Sequence, residues 1–396
     1  MAISLEDAVA LGKKSVYQLD SEYVSINEVV QRVSAQDFYA PINVPDFERS
    51  MVDGFAVCRE DLLDMDEGSS LRLVAQVMAG TSVLTSIGRG ETVRVMTGAL
   101  LPQGTAAVYK QEEVIEKDGL IYPGRKLKPG SNIEGQGSDI PLGFKLLQKG
   151  ESLDADRIER LACCGVEKVL VYRRPRVYII NTGSELVLPG QPLQPGQIYH
   201  SNRSLLAAKV ARSGATPVLA ELGTADEERL ITDEIRKGIS LADMVLISGG
   251  TGSGLADLVQ ESWRVLNASL LFKGIDIIPG RSSAAAVYQG KLLYNLAGRP
   301  GAVSLLFEVL IKPVLLNMQG AINQEPSWFE ITLESSLDKI SNRRSLKRAE
   351  MVLLGPGKNQ ARPLQDWNTF AQKLPLILDL KAGQGKKGEV VRALLI

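Results

Sequence analysis

One stretch constrains the fold more than any other. Residues 244–257 read MVLISGGTGSGLAD, an apolar run from Met244 to Ile247 followed by Ser248, Gly249, Gly250, Thr251, Gly252, Ser253 and Gly254, with Asp257 soon after. A short apolar run bounded by turn residues fits a strand buried on both faces of a parallel sheet. Glycines let the backbone turn sharply and bring its N–H groups close to an anion. A helix is predicted to start near Leu255, and a helix N-terminus favours negative charge. The stretch therefore reads as a strand, a phosphate-holding loop and a helix, with Asp257 placed for a metal or a sugar hydroxyl. A plain glycine-rich strand-to-helix turn is the alternative.

The rest of the chain sets this unit among others. At 396 residues it is too long for one core, and two to four domains are expected. Ser4 is a candidate N-cap for a helix over 4–18, and Ile26, Val29, Val30 and Val33 suggest a second helix over 22–36. Pro41 and Pro45 then bound an extended entry into a region of short β-like runs separated by Gly and Pro. A helix from Asp154 to Cys164 and a strand from Lys168 to Tyr172 are expected to rejoin the N-terminal helices, which makes the β-rich region an insertion. From Arg176 the pattern becomes βαβα, which implies a parallel sheet with crossover helices, and it ends in a helix over 301–318 that Pro313 should kink. Alternating runs after Gly320 suggest a small all-β domain. The expected domains are 1–45 with 143–173, 46–142, 174–319 and 320–396.

Charge and residue usage narrow the chemistry. With 45 basic and 46 acidic residues, the chain lacks the basic excess of a general nucleic-acid binder. No apolar run in the sequence approaches a membrane span, and the N-terminus has no signal-peptide core, so a cytoplasmic protein is expected. Cys58, Cys163 and Cys164 suggest neither a disulfide framework nor a zinc site. His200 is the sole histidine and reads as a surface or loop residue, so catalysis would fall to carboxylates, hydroxyls, amides and a hard metal. Ligands of open α/β sheets bind beyond the carboxyl ends of the strands. Three loops fit that edge: 181–186 with Thr182, Gly183 and Glu185; 248–254; and 295–301 with Gly298 and Arg299. Glu185 and Asp257 are the natural Mg2+ ligands, unless they merely cap a turn and a helix. A fourth turn, Pro279-Gly280-Arg281-Ser282-Ser283, sets a guanidinium beside hydroxyls and suits an oxyanion, or is a solvated turn.

Together these loops resemble a molybdopterin-binding domain, and the flanking regions specify the branch. Residues 41–57, with Pro41, Pro45, Phe47, Ser50, Met51, Asp53, Gly54 and Phe55, look like the signature "P-x-x-P-x-F-x-x-S-x-M-D-G-[YF]-A". Arg94 to Ala99 with Pro102 and Gly104 match "R-I-M-T-G-A-x-x-P-x-G", Gly130 to Ile140 match "G-x-N-[IV]-R-x-x-G-E-D-[IV]", and Ile198 to Asn202 match "I-[YF]-[DN]-[ST]-N". In order and over essentially the whole chain, the sequence resembles the molybdopterin molybdenumtransferases, the MoeA and gephyrin E-domain family.

The resemblance implies a multidomain α/β plus β chain. Its parts would be a three-layer α/β molybdopterin-binding domain with a parallel sheet, a β-rich inserted domain, a helical linker domain and a C-terminal small β-barrel. It implies a homodimer that works with molybdopterin adenylyltransferase and molybdoenzyme acceptors. The implied reaction joins molybdate to adenylylated molybdopterin, releasing AMP, with Mg2+. By position, Asp53 and Thr97 would act across the dimer, Asp139, Glu185 and Asp257 would serve hydrolysis and metal binding, and Ser248, Gly249, Gly250, Thr251 and Gly252 would cradle the phosphate. The chain departs from the family pattern at several places. Gly252 replaces a serine, Ile278 and Arg281 replace two lysines, Arg299 replaces an asparagine, Ala225 an aspartate, Glu134 an arginine and Ser138 a glutamate. Three readings follow: a divergent insertase using Arg281, Arg299 and Ser283; a catalytically impaired paralogue acting as carrier or scaffold; or an enzyme of shifted specificity. Arg343, Arg344 and Arg348 stand near the family's oxyanion-binding arginine, or form a solvated basic turn.

Overall fold

The computed structural model describes residues 2–396 apart from 65, 67, 82–85, 221–226, 250–254, 355–358 and 365–373, and without the side chains of 255–257. The chain forms two compact units, one of Met1–Gln36, Lys149–Asp154 and Val169–Ile396, the other of Asp37–Gln148 and Ala155–Lys168.

The first unit is built on a six-stranded sheet. Its order is Thr216–Leu219, Arg176–Asn181, Met244–Ser248, Lys291–Leu296, Ala284–Tyr288 and Ser269–Lys273. The first four strands run parallel, and Ala284–Tyr288 pairs antiparallel with both its neighbours. The glycine-loop strand lies near the middle with all five residues buried, as its unbroken apolar run requires. Alternate residues feed two cores. Ile179 and Leu246 pack with residues of the Leu5–Lys14, Ser201–Arg212 and Pro300–Met318 helices. Ile180, Val245 and Ile247 pack with Ile235 and Val259 of the helices on the opposite face. The result is the expected three-layer arrangement.

Several local features have clear physical causes. Ser4 caps the first helix by accepting from the Asp7 N–H at 3.0 Å. The Ala284–Tyr288 strand escapes sequence reading because alanine has weak strand preference, yet Gln289 and Gly290 both take positive φ and close a tight hairpin onto Lys291–Leu296. The helix expected over 22–36 is absent. Ser21–Ser25 is a strand paired with Lys168–Tyr172, followed by a single tight turn, Ile26–Glu28. Val29 and Val33 are buried and Val30 is exposed, so the valine spacing reflects a folded loop rather than a helical face. The kink expected from Pro313 takes the form of a π-helical turn, Phe307–Ile311, just before the proline-bearing segment Lys312–Met318. The helical stretch Pro300–Met318 is long and apolar enough to cross a membrane, but 72% of it is buried inside the fold. Five strands of this unit form a closed barrel in the order Trp328–Leu333, Gln360–Pro363, Ser345–Val352, Pro375–Leu380 and Val390–Leu395.

The second unit carries its own six-stranded sheet, ordered Thr105–Lys110, Gly54–Cys58, Glu91–Val95, Leu71–Val77, Leu120–Pro123 and Val114–Lys117. Its last two strands are joined by Asp118 and Gly119, both at positive φ, the arrangement favoured by two-residue hairpins.

Candidate functional site

Three parallel strands end side by side at Asn181, Ser248 and Leu296, and a cavity of about 290 Å³ lies beyond them. The loops leaving these strands converge on Gly249. The Thr182 N–H donates to the Ser248 carbonyl at 3.1 Å, and the Asn181 amide donates to the Ser248 hydroxyl. Gly249 has φ of 110°, and a Cβ there would lie 2.4 Å from the Thr182 carbonyl oxygen. A Cβ on Gly298 would lie 3.4 Å from the Gly249 Cα. The backbones are therefore packed so closely that no side chain fits at Gly249.

Two helices begin at this cavity. Ser201–Arg212 starts after His200, and Pro300 opens the long helix after Arg299; neither N-cap residue makes a side-chain capping bond. Uncapped N–H groups and the aligned peptide dipoles favour an anion there. The Asn202 amide N–H donates to the Gly298 carbonyl at 2.6 Å and ties the first helix to the third loop. Deeper in the fold, Lys209 and Glu308 form a largely buried ion pair at 2.6 Å that joins the same two helical segments. Burial pushes the Glu308 carboxyl up, but Lys209 and then Lys312 outweigh it and hold the group below its ordinary range.

Seven of the predicted residues line this one cavity: Thr182, Gly183, Glu185, Ser248, Gly249, Gly298 and Arg299. Glu185 and Arg299 are exposed, and Glu185 makes no ion pair among the described residues. Gly250, Thr251 and Gly252, with Ala225, lie outside the described residues, as does the side chain of Asp257, whose backbone is in the helix Leu255–Val265.

Arg281 and Ser283 are at the same sheet edge, since Ala284 pairs with Asn295, but neither is part of the cavity wall. Arg281 is exposed, whereas Ser283 is buried. The turn is anchored to the barrel: the Ile278 N–H donates to the Arg344 carbonyl at 3.0 Å and the Leu346 N–H to the Ile278 carbonyl at 2.7 Å. Arg344 is not free for an oxyanion, because it makes two-pronged contacts of 2.8–2.9 Å with both Glu6 and Asp379.

Asp53, Thr97 and Asp139 belong to the second unit. The Thr97 N–H and hydroxyl both donate to Asp53 Oδ1, at 2.7 and 2.8 Å, and hold that exposed carboxyl below its ordinary range. Asp139 lies 4.0 Å from Arg49, which makes a two-pronged bridge to Glu134 at 2.7 and 3.1 Å. Glu134, a departure from the family pattern, is thus paired with a cation.

Two cavity residues escape sequence reading as site residues. His200 is not a surface residue: it is 5% exposed and lines the cavity. Burial chiefly lowers its pKa, which favours the neutral ring near pH 7. A lone histidine has no spacing partner to reveal it. Asn202 does have a signal, the small polar pair Ser201-Asn202 that opens a helix just after the short strand Ile198–Tyr199.

Comparison with known proteins agrees with this geometry. The family model described as "MoeA N-terminal region (domain I and II)" matches residues 3–165, and "Probable molybdopterin binding domain" matches residues 178–317. A molybdopterin molybdenumtransferase of Haemophilus influenzae is 32% identical over 384 residues, which are 95% of this chain and 94% of that one. One from Staphylococcus epidermidis is 30% identical over 361 residues, covering 90% and 85%. A crystal structure of a molybdopterin biosynthesis MoeA protein from Pyrococcus horikoshii superimposes with a TM-score of 0.83 at 30% identity, covering 100% of this chain and 99% of its own.

Proposed function

Because this chain belongs to the molybdopterin molybdenumtransferase family, we propose that its cavity binds adenylylated molybdopterin and that molybdate is inserted there with release of AMP. The convergence of three strand-end loops on Gly249, beside two helix N-termini, is the observation that carries this reading. Such a site binds phosphate through backbone N–H groups without needing a lysine. That matters here, since Ile278 stands in place of one family lysine. Exposed Arg299 in the cavity wall, with exposed Arg281 on the same sheet edge, would supply positive charge for molybdate in a planar rather than a compact form.

Two carboxylates at or near the cavity support a role for Mg2+. Glu185 offers an exposed carboxylate at the wall, and Asp257 stands in the first turn of the helix that follows the glycine loop. Mg2+ is commonly held by one or two carboxylates together with substrate phosphates and water, so a dedicated cluster of three protein ligands is not needed. When bound, the ion would neutralise charge on the phosphates as AMP departs. Asp53, with its low carboxyl, and Asp139 are further candidates within the same proposal, as are a homodimeric assembly and a cytoplasmic setting.

Glu185→Gln tests the metal assignment. AMP release is expected to fall about tenfold to a hundredfold, and the Mg2+ concentration for half-maximal rate to rise, with thermal stability unchanged. An unaltered Mg2+ dependence would remove Glu185 from the metal site.

A further inference from the structure

The turn that carries Arg281 is held from two sides. On the barrel side, Ile278 forms a short parallel bridge: its N–H donates to the Arg344 carbonyl at 3.0 Å and its carbonyl accepts from the Leu346 N–H at 2.7 Å. On the other side, the Gly274 N–H donates to the Ser283 carbonyl at 2.8 Å and the Ile275 N–H to the Gly280 carbonyl at 3.3 Å. That inner segment is paired in turn with the N-terminal residues. The Ile3 N–H donates to the Gly274 carbonyl at 3.1 Å, and the Asp276 N–H to the Ile3 carbonyl at 2.8 Å.

The side chain of Arg344 closes this circuit. It donates twice to Glu6, in the first turn of the helix Leu5–Lys14, and twice to Asp379, on the barrel strand Pro375–Leu380, all at 2.8–2.9 Å. Asp379 is 5% exposed at its side chain, so it depends on a cation, and a forked contact fixes direction as well as charge. Arg344 therefore joins the turn, through its carbonyl, to the N-terminal helix and the barrel, through its guanidinium. Arg281 depends on that support. It is exposed and makes no ion pair or side-chain hydrogen bond among the described residues, so the backbone that carries it sets where it stands.

Resting on the function proposed above, we propose that Arg344 is a positioning residue for the oxyanion: it touches no substrate, and its clamp on Glu6 and Asp379 fixes the turn from which Arg281 meets molybdate. The N-terminal helix and the barrel thereby act on the reaction through the placement of one guanidinium.

Molybdate-dependent AMP release by the full-length protein tests this, with Arg344→Met and Glu6→Gln each made alone and in an Arg281→Ala background, and every variant checked by a thermal melt. Arg344→Met is expected to raise the KM for molybdate about tenfold to a hundredfold, with the KM for adenylylated molybdopterin unchanged. Glu6→Gln alters a side chain that is 62% exposed, so it keeps the test decisive if Arg344→Met does not fold; its expected rise is about threefold. In the Arg281→Ala background neither change is expected to add a further loss, because residues acting as one unit are not additive. A purely structural role would instead lower the melting temperature and kcat and add to the Arg281→Ala loss. Additive losses, or an unchanged KM for molybdate, overturn the positioning role while the proposed function stands. If the unaltered protein releases no AMP when molybdate is supplied, the proposed function itself fails, and the positioning role with it.

Discussion

Gly249→Ala is expected to lower the rate of AMP release by about a hundredfold or more, because small displacements of a positioned phosphate have effects of that order. An alanine Cβ would sit 2.4 Å from the Thr182 carbonyl and 2.9 Å from its hydroxyl, far inside any tolerated contact. The residue also holds φ of 110°, which L side chains avoid at roughly 1–3 kcal/mol. Relief requires Gly249 to move away from Thr182, and Gly298 is also packed closely against Gly249. The three loops would lose their common register. The fold should survive, because Gly249 contributes no side chain to either core. Steady-state kinetics beside a thermal melt checks this: a low rate in a protein of near-normal stability is expected, and a normal rate would show that the loop is not where phosphate binds.

A second large effect is expected in stability. Glu308 is 8% exposed at its side chain and is held by Lys209 at 2.6 Å and by Lys312 at 3.3 Å. Glu308→Ala leaves the Lys209 ammonium largely buried without its partner, which costs about 3–5 kcal/mol. Replacing both residues, Lys209→Met with Glu308→Leu, should recover much of that loss, since apolar pairs often match buried ion pairs. Denaturant titrations of the single and double variants measure the difference. The sign with pH follows from the lowered carboxyl of Glu308. Its contribution is fully present above the unfolded glutamate value of about 4.3 and is lost as pH falls towards the lower folded value. In the double variant, stability should therefore fall less steeply below that pH. Because the pair joins the two helical segments that open at the cavity, Glu308→Ala should also weaken ligand binding.

The cavity was readable because glycines and small polar residues placed directly after apolar strands serve few purposes but turning and binding. Thr182, Gly183, Ser248, Gly249 and Gly298 all stand in such positions, and they meet in one wall. Ser4, Pro313 and the parallel strands likewise follow from local chemistry. What stayed hidden depended on distant partners. Ala284–Tyr288 becomes a strand because Lys291–Leu296 and Ser269–Lys273 pair with it on its two sides. Ser21–Ser25 pairs with residues more than a hundred positions away, so local valine spacing misled. His200 was invisible because burial, not neighbouring sequence, gives a single histidine its character. Arg344 reads from sequence as an available cation, but Glu6 and Asp379, distant in the chain, engage it.

The most direct test of the proposed function is AMP release from adenylylated molybdopterin by the purified protein, with Mg2+ present and molybdate either added or withheld. AMP appearing in equal amount with the cofactor formed, and only when molybdate is supplied, is the predicted result. Retention of the adenylylated substrate without AMP release, or release at the same rate without molybdate, would contradict it.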